Sequence, residues 1–127
     1  FVRSLLGRKC RFDLWEPNLF VSSKALPKEE AHLEYGDNIK RAYTYKALNR
    51  LIQASAADQT KAAMSIIYKE KKKVPLIQIH DELAFSIGDK KEAKELSTLM
   101  EEAVSLAVPS PCDILTGKSW GALTNLD

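Results

Sequence analysis

Cysteine is scarce in this chain and poorly spaced for chemistry. Cys10 and Cys112 are the only two, and they lie far apart. That excludes a Cys-x-x-Cys metal or redox motif. An even count permits a disulfide, but nothing else suggests a secreted scaffold, so both read as ordinary thiols. Long hydrophobic runs are lacking too. None approaches the roughly 20 residues of a membrane-spanning helix, and no signal-peptide pattern is visible. An excess of one charge is also missing: 19 Lys and Arg face 17 Asp and Glu, for a net charge of +2. Any contact with a phosphate backbone must therefore come from local positive charge. There is no internal repeat, low-complexity tract or long linker. The chain opens on Phe1 rather than methionine, as expected of a piece of a longer protein.

What is present is an ordinary globular composition of 127 residues, 45% hydrophobic and 28% charged, expected to form one domain over 1–127 with a modest core. Gly7 and the basic run Arg8-Lys9-Cys10-Arg11 suggest a turn leading into a strand. Residues 13–36 read as a connecting loop or insertion, within which Pro27-Lys28-Glu29-Glu30 could open a short helix that Gly36 ends. The longest helical candidate runs from Asp37 to about Tyr68, with a possible kink near Asn49. Leu48, Leu51, Ile52, Ser55, Ala62 and Ile66 form its expected core-facing side. Asp89 and Glu92 have the spacing of a capping box. Ala93, Leu96, Met100, Ala103, Val104 and Ala107 then repeat at helical period, until Pro109 and Pro111 end the pattern.

Between these helices lie two β-rich runs, Val74–Ile79 and Leu83–Ile87, flanking His80-Asp81-Glu82. They read as a hairpin with the acidic pair at or near its turn. Strand pattern alone gives no reason for carboxylates between Ile79 and Leu83, and such conflicts with local pattern are where function is expected. Adjacent carboxylates offer oxygen ligands to a hard cation such as Mg²⁺, and carboxylate-held cations serve two-metal phosphoryl transfer. A solvated turn beside a satisfied histidine is the competing reading. Asn49 and Gln53 stand one helical turn apart and so share a face. Taken by itself, such a pair of amides reads as an exposed polar surface.

Four segments in order resemble family A, polymerase-I-like, DNA polymerases. Ile77-Gln78-Ile79-His80-Asp81-Glu82-Leu83-Ala84-Phe85 resembles the family's third palm motif. The stretch from Ala47 to Met64, with Asn49, Gln53, Asp58, Lys61 and Met64, resembles its Asn-x-x-x-Gln-Gly-Thr-Ala-Ala-Asp-x-x-Lys-x-Ala-Met helix. Gly7-Arg8-Lys9 resembles the Gly-Arg-Arg segment before it, and Gly117-Lys118-Ser119-Trp120 a Gly-x-x-Trp ending.

The resemblance implies an α+β fold, the C-terminal part of a polymerase palm, with a small antiparallel sheet that includes the His-Asp-Glu hairpin packed against two long helices. It implies a DNA-directed DNA polymerase, acting by template-directed nucleotidyl transfer to a primer 3′-OH with two Mg²⁺ ions, in an intracellular setting. Asp81 would be the metal-binding catalytic aspartate and Glu82 its acidic neighbour. His80 would lie near the primer terminus, and Asn49 and Gln53 would face the minor groove of the template-primer. Arg8 and Lys9 would meet DNA phosphates, or else form a charge cluster at a strand edge. Template-primer DNA and deoxynucleoside triphosphates would be the partners, with no membrane involved.

The sequence also departs from the family pattern. Tyr45 stands where many relatives carry Arg, Ala54 where glycine is usual, and Ser55 where threonine is. The first palm motif, with the other essential aspartate, is not among these residues, nor is the nucleotide-gripping fingers helix. Tyr35-Gly36 superficially resembles the end of that helix, but Ala31 and Pro27 occupy its key positions. The missing palm and fingers residues are expected from the same parent chain, or from a partner chain in a split polymerase. A non-catalytic DNA-binding remnant is the remaining alternative.

Overall fold

The computed structural model describes residues 1–19 and 22–126. The fold is α+β, with small antiparallel sheets and one long helix, and the chain divides into two compact units, Phe1–Ser55 and Ala56–Asp127. Among the described residues the strands are distributed over four separate sheets rather than gathered into one. Most of these strands are only two or three residues long, too short to recruit several neighbours.

In the first unit, β1 (Val2–Arg3) pairs with β2 (Lys9–Cys10), Val2 opposite Cys10 and Arg3 opposite Lys9. Ser4 closes the intervening loop. Its N–H donates to the Arg8 carbonyl at 2.9 Å, its carbonyl accepts from the Gly7 N–H at 2.9 Å, and its Oγ accepts from the Arg8 N–H at 3.0 Å. With its polar atoms engaged, Ser4 is buried at little cost. Gly7 has φ 86, a left-handed conformation that a side chain would resist.

Segment 13–36 holds β3 (Leu14–Pro17), β4 (Leu26–Pro27) and α1 (Lys28–Tyr35); its residues 20 and 21 lie outside the described residues. With β5 (Ile39–Arg41) the strands form an antiparallel sheet in the order β4-β3-β5. The half-buried Trp15 organises it, with the Arg41 guanidinium 4.8 Å and the Lys28 ammonium 5.6 Å from its ring. Both cations come from elements outside β3, which is why an irregular local pattern concealed a strand. Helix α1 ends where the sequence indicates: Gly36 takes φ 74 and its N–H donates to the His32 carbonyl at 3.0 Å.

The long helix begins later than its periodicity suggests. Residues 39–41 are strand, Tyr43 is left-handed at φ 60, and a 3₁₀ turn over Thr44–Lys46 leads into α2 (Ala47–Lys71). Its buried side also differs from expectation. Thr60, Ala63 and Ile67 are buried at helical spacing, as is Asp58, whereas Leu48 and Ile52 are 67% and 59% exposed. Leu51, Ser55, Ala62 and Ile66 of the expected side are half-buried, and full burial is confined to residues 58–67, a difference along the helix that periodicity averages out.

The second unit continues with β6 (Ile77–Ile79), β7 (Glu82–Ala84), α3 (Lys90–Glu101), β8 (Leu115–Thr116) and β9 (Thr124–Asn125). Helix α3 starts on its capping residue, the Asp89 Oδ1 accepting from the Glu92 N–H at 2.8 Å. It stops at Glu101, short of Ala103, Val104 and Ala107. The Glu101 carboxylate instead accepts from the Cys112 N–H at 2.7 Å and ties down the following loop. Ala93 and Leu96 are its buried residues. Near the end, Gly117 lies so close to the Ala122 carbonyl that a Cβ would fall 2.1 Å from its oxygen. Glycine is thus required there for packing, while Trp120 is 52% exposed and closes no core.

Candidate functional sites

Strands β6 and β7 pair antiparallel with Ile79 opposite Glu82, leaving His80 and Asp81 as a two-residue turn. The ladder extends outward through the Leu76 N–H to the Ala84 carbonyl at 2.8 Å. His80 takes φ 52 while Asp81 does not have positive φ. A positive φ at the first turn residue alone is the sign pattern of a type II′ hairpin turn, where glycine is preferred. The Gln78 amide braces this conformation by donating to the His80 carbonyl at 2.6 Å. His80, Asp81 and Glu82 are all exposed. Among the described residues neither the Asp81 nor the Glu82 carboxylate has a hydrogen-bond or ion-pair partner.

Below the hairpin, Lys73 and Glu92 fasten the strands to the start of α3. The Lys73 ammonium lies 2.7 Å from the Glu92 carboxylate and donates to the Ser86 carbonyl at 2.6 Å. The other Glu92 oxygen accepts from the Gly88 N–H at 2.8 Å, one residue before the usual capping-box donor. The bond from Lys73, reinforced by that from Gly88, holds the Glu92 carboxyl below the ordinary carboxylate value. At the end of α2, the hydrogen bond to Glu95 raises the Lys71 ammonium. Burial pushes the Cys112 thiol up, with Glu101 and Asp113 adding to the effect, so this cysteine is a poor nucleophile. Cys10 and Cys112 are both free thiols.

The second candidate surface lies in the first unit. Asn49 and Gln53 are exposed and one turn apart on α2, so the helix brings both amides to one face. Arg8 approaches the same stretch: its guanidinium donates to the Ala54 carbonyl at 3.1 Å. Ser55 anchors the stretch from within, its Oγ accepting from the Leu5 N–H at 3.0 Å and donating to the Leu51 carbonyl at 2.7 Å. Lys9 lies 5.2 Å from the Phe1 ring. Thus Asn49, Gln53, Arg8 and Lys9 belong to one unit, and His80, Asp81 and Glu82 to the other.

Two features escape a reading of the sequence. The Lys73–Glu92 link joins residues on different elements, and no local signal marks it. The ammonium of Lys46 lies near two tyrosine rings, for which the aromatic spacing in Tyr43-Thr44-Tyr45-Lys46 is the available signal.

Among the described residues no group of three or more His, Cys, Asp and Glu side chains is placed to hold a metal ion. Asp81 and Glu82 nevertheless suit a partial contribution. Mg²⁺ commonly takes one or two carboxylates and completes its shell with water and substrate phosphates. No helix is long and apolar enough to cross a membrane among the described residues.

Comparison with known proteins matches residues 1–122 to DNA polymerase family A. A DNA-directed DNA polymerase of Pseudomonas phage M6 is 39% identical over 121 residues, which cover 95% of this chain and 15% of that protein. DNA polymerase I of Borreliella burgdorferi is 41% identical over 85 residues, covering 61% of this chain and 9% of the relative. DNA polymerase theta of Drosophila melanogaster is 37% identical over 100 residues, covering 67% and 5%. No solved structure gives a significant match. The chain therefore spans a small part of the length of these relatives, and with its family match over residues 1–122 it belongs to DNA polymerase family A.

Proposed function

We propose that these residues are the C-terminal part of the palm of a DNA-directed DNA polymerase, and that the β6–β7 turn supplies part of its catalytic centre. The observation that carries this reading is the pair of exposed, unengaged carboxylates Asp81 and Glu82 at a braced hairpin turn in a family A chain. A primer 3′-oxygen attacks the α-phosphate of a deoxynucleoside triphosphate, and pyrophosphate departs. Asp81 would hold Mg²⁺, with Glu82 as its acidic neighbour. When bound, the metal supplies Lewis-acid stabilisation of charge on the attacking and leaving oxygens. His80 stands at the primer terminus, where the turn fixes its direction. Asn49 and Gln53 donate to minor-groove acceptors, which orients the template-primer without reading its sequence. Arg8 spends its guanidinium partly on α2 and supports that face, while Lys9 remains available to a phosphate.

In the complete protein, Asp81→Asn keeps the side chain's shape and removes its charge. Loss of a preorganised electrostatic contact corresponds to roughly 3–4 kcal/mol, on the order of hundreds-fold in the chemical rate. Duplex affinity should change little, because phosphate contacts dominate it. Asn49→Ala and Gln53→Ala should instead weaken duplex binding and discrimination against mispaired ends. Single-turnover incorporation and duplex affinity separate the two outcomes. Asp81→Asn turning over at the parental rate would refute the assignment of the hairpin. The stretch Phe1–Asp127 alone should not extend a primer, since the second aspartate and the fingers are not among its residues. Incorporation by the purified stretch would overturn that.

A further inference from the structure

Several cations of the first unit are engaged by the chain itself, Lys40 among them through Glu16 at 3.8 Å. Arg3, Arg8, Arg41 and Arg50 each donate to a main-chain carbonyl, of Gly7, Ala54, Phe12 and Arg11 respectively, at 2.7–3.1 Å. These guanidinium groups brace the fold. Lys46 is placed differently. Its ammonium stands 5.0 Å from the Tyr43 ring and 5.6 Å from the Tyr45 ring, and it is exposed. It has no ion-pair partner among the described residues. The backbone fixes this arrangement: Tyr43 is left-handed at φ 60, and the Lys46 N–H donates to the Tyr43 carbonyl at 3.0 Å. Contact with two aromatic faces restrains a side chain that would otherwise sample many rotamers.

Position gives that restraint a use. Lys46 immediately precedes α2, and the offsets to Asn49 and Gln53 are three and seven, so the three residues lie along one side. Tyr45, 78% exposed, stands beside them. Two neutral amides flanked by a restrained cation and an exposed ring match a duplex edge, where uncharged groove acceptors border a line of phosphates.

We propose that Lys46 is a positioning residue that takes a backbone phosphate of the template-primer duplex, setting the register at which Asn49 and Gln53 meet the groove. This rests on the polymerase reading above. The charge complementarity selects a polyanion, and the adjoining amides select a duplex groove over an acidic protein surface.

The test uses the complete protein and a synthetic template-primer duplex, with equilibrium affinity measured from about 50 to 200 mM salt. Lys46→Ala should weaken binding about eightfold near 0.1 M salt and reduce the log–log salt slope by ~0.9, the value for one released counterion. Lys46→Arg should restore both, and Asn49→Ala should weaken binding with the slope unchanged. Unchanged affinity and slope in Lys46→Ala, while Asn49→Ala still weakens binding, would overturn this inference and leave the polymerase reading standing. Weakening without a change in slope would also overturn it, since it marks a structural role. Absence of duplex binding by the parental protein would instead bring down the polymerase reading and this inference together.

Discussion

The turn between β6 and β7 makes a measurable demand on its first residue. His80 sits at φ 52 with a side chain attached, a conformation that costs an L-residue roughly 1–2 kcal/mol. Glycine escapes that cost but loses about 0.5–1 kcal/mol more backbone entropy than alanine on folding. At position 80 the difference leaves glycine more stable than alanine by about 0.5–1 kcal/mol, the reverse of their order inside a strand or helix. Both substitutions remove the imidazole, so comparing His80→Gly with His80→Ala isolates the backbone term from lost side-chain contacts. For a unit of this size, that difference moves the thermal midpoint by roughly 2–8 °C. Denaturant and thermal unfolding of the two variants measure it, with single-turnover incorporation alongside. Incorporation should fall similarly in both, because each lacks the imidazole proposed to stand at the primer terminus. Alanine at least as stable as glycine would show that the turn stores no strain. Parental activity in both would show that the imidazole is dispensable.

Glu92 gives a pH signature. Its carboxyl is held below its ordinary value of 4.5, first by the Lys73 hydrogen bond and then by the Gly88 N–H. Its stabilisation is therefore present above about pH 4.5 and lost as pH falls through the lower folded value. Glu92→Gln retains an acceptor for Gly88 but removes the charge paired with Lys73, so it should flatten the acid limb of stability; a limb identical to the parent's would count against the pairing. Among the described residues Ile67 is the largest fully buried side chain, at 1% exposure. Ile67→Ala should cost about 2–5 kcal/mol in denaturant unfolding, and a loss below 1 kcal/mol would mean that the site collapses around the smaller residue.

Local signals were legible where a single stretch of chain carries the physics. Gly36 ends α1 because one residue must turn left-handed there, and Asp89 starts α3 because one side chain must cap one N–H. Both are written at their own positions. The strand Leu14–Pro17 is not: it exists because Ile39–Arg41 and Leu26–Pro27 pair with it and because Arg41 and Lys28 cover Trp15. The start of α2 is hidden from local pattern for the same reason. Residues 39–41 are engaged by β3, and the left-handed Tyr43 cuts the periodic run that the eye continues through them.

The candidate sites show the same division between the kind of residue and its engagement. Residue types and spacing were enough to single out His80-Asp81-Glu82 and the Asn49/Gln53 pair. They could not show that Arg8 is partly committed to the Ala54 carbonyl whereas Lys46 remains exposed beside two rings. A guanidinium and an ammonium look equally available in a string of letters, yet their roles follow from what already occupies their donors. Arg8, Arg41 and Arg50 present planar forks that match carbonyl geometry and fasten the β1–β2 loop, β5 and α2 to their surroundings. Lys46 presents a compact charge on a stem that two aromatic faces steady, the arrangement from which a phosphate contact is proposed. An exposed cation restrained in this way gives up rotamer freedom before a partner arrives, which is the condition under which a single surface lysine contributes measurably to binding.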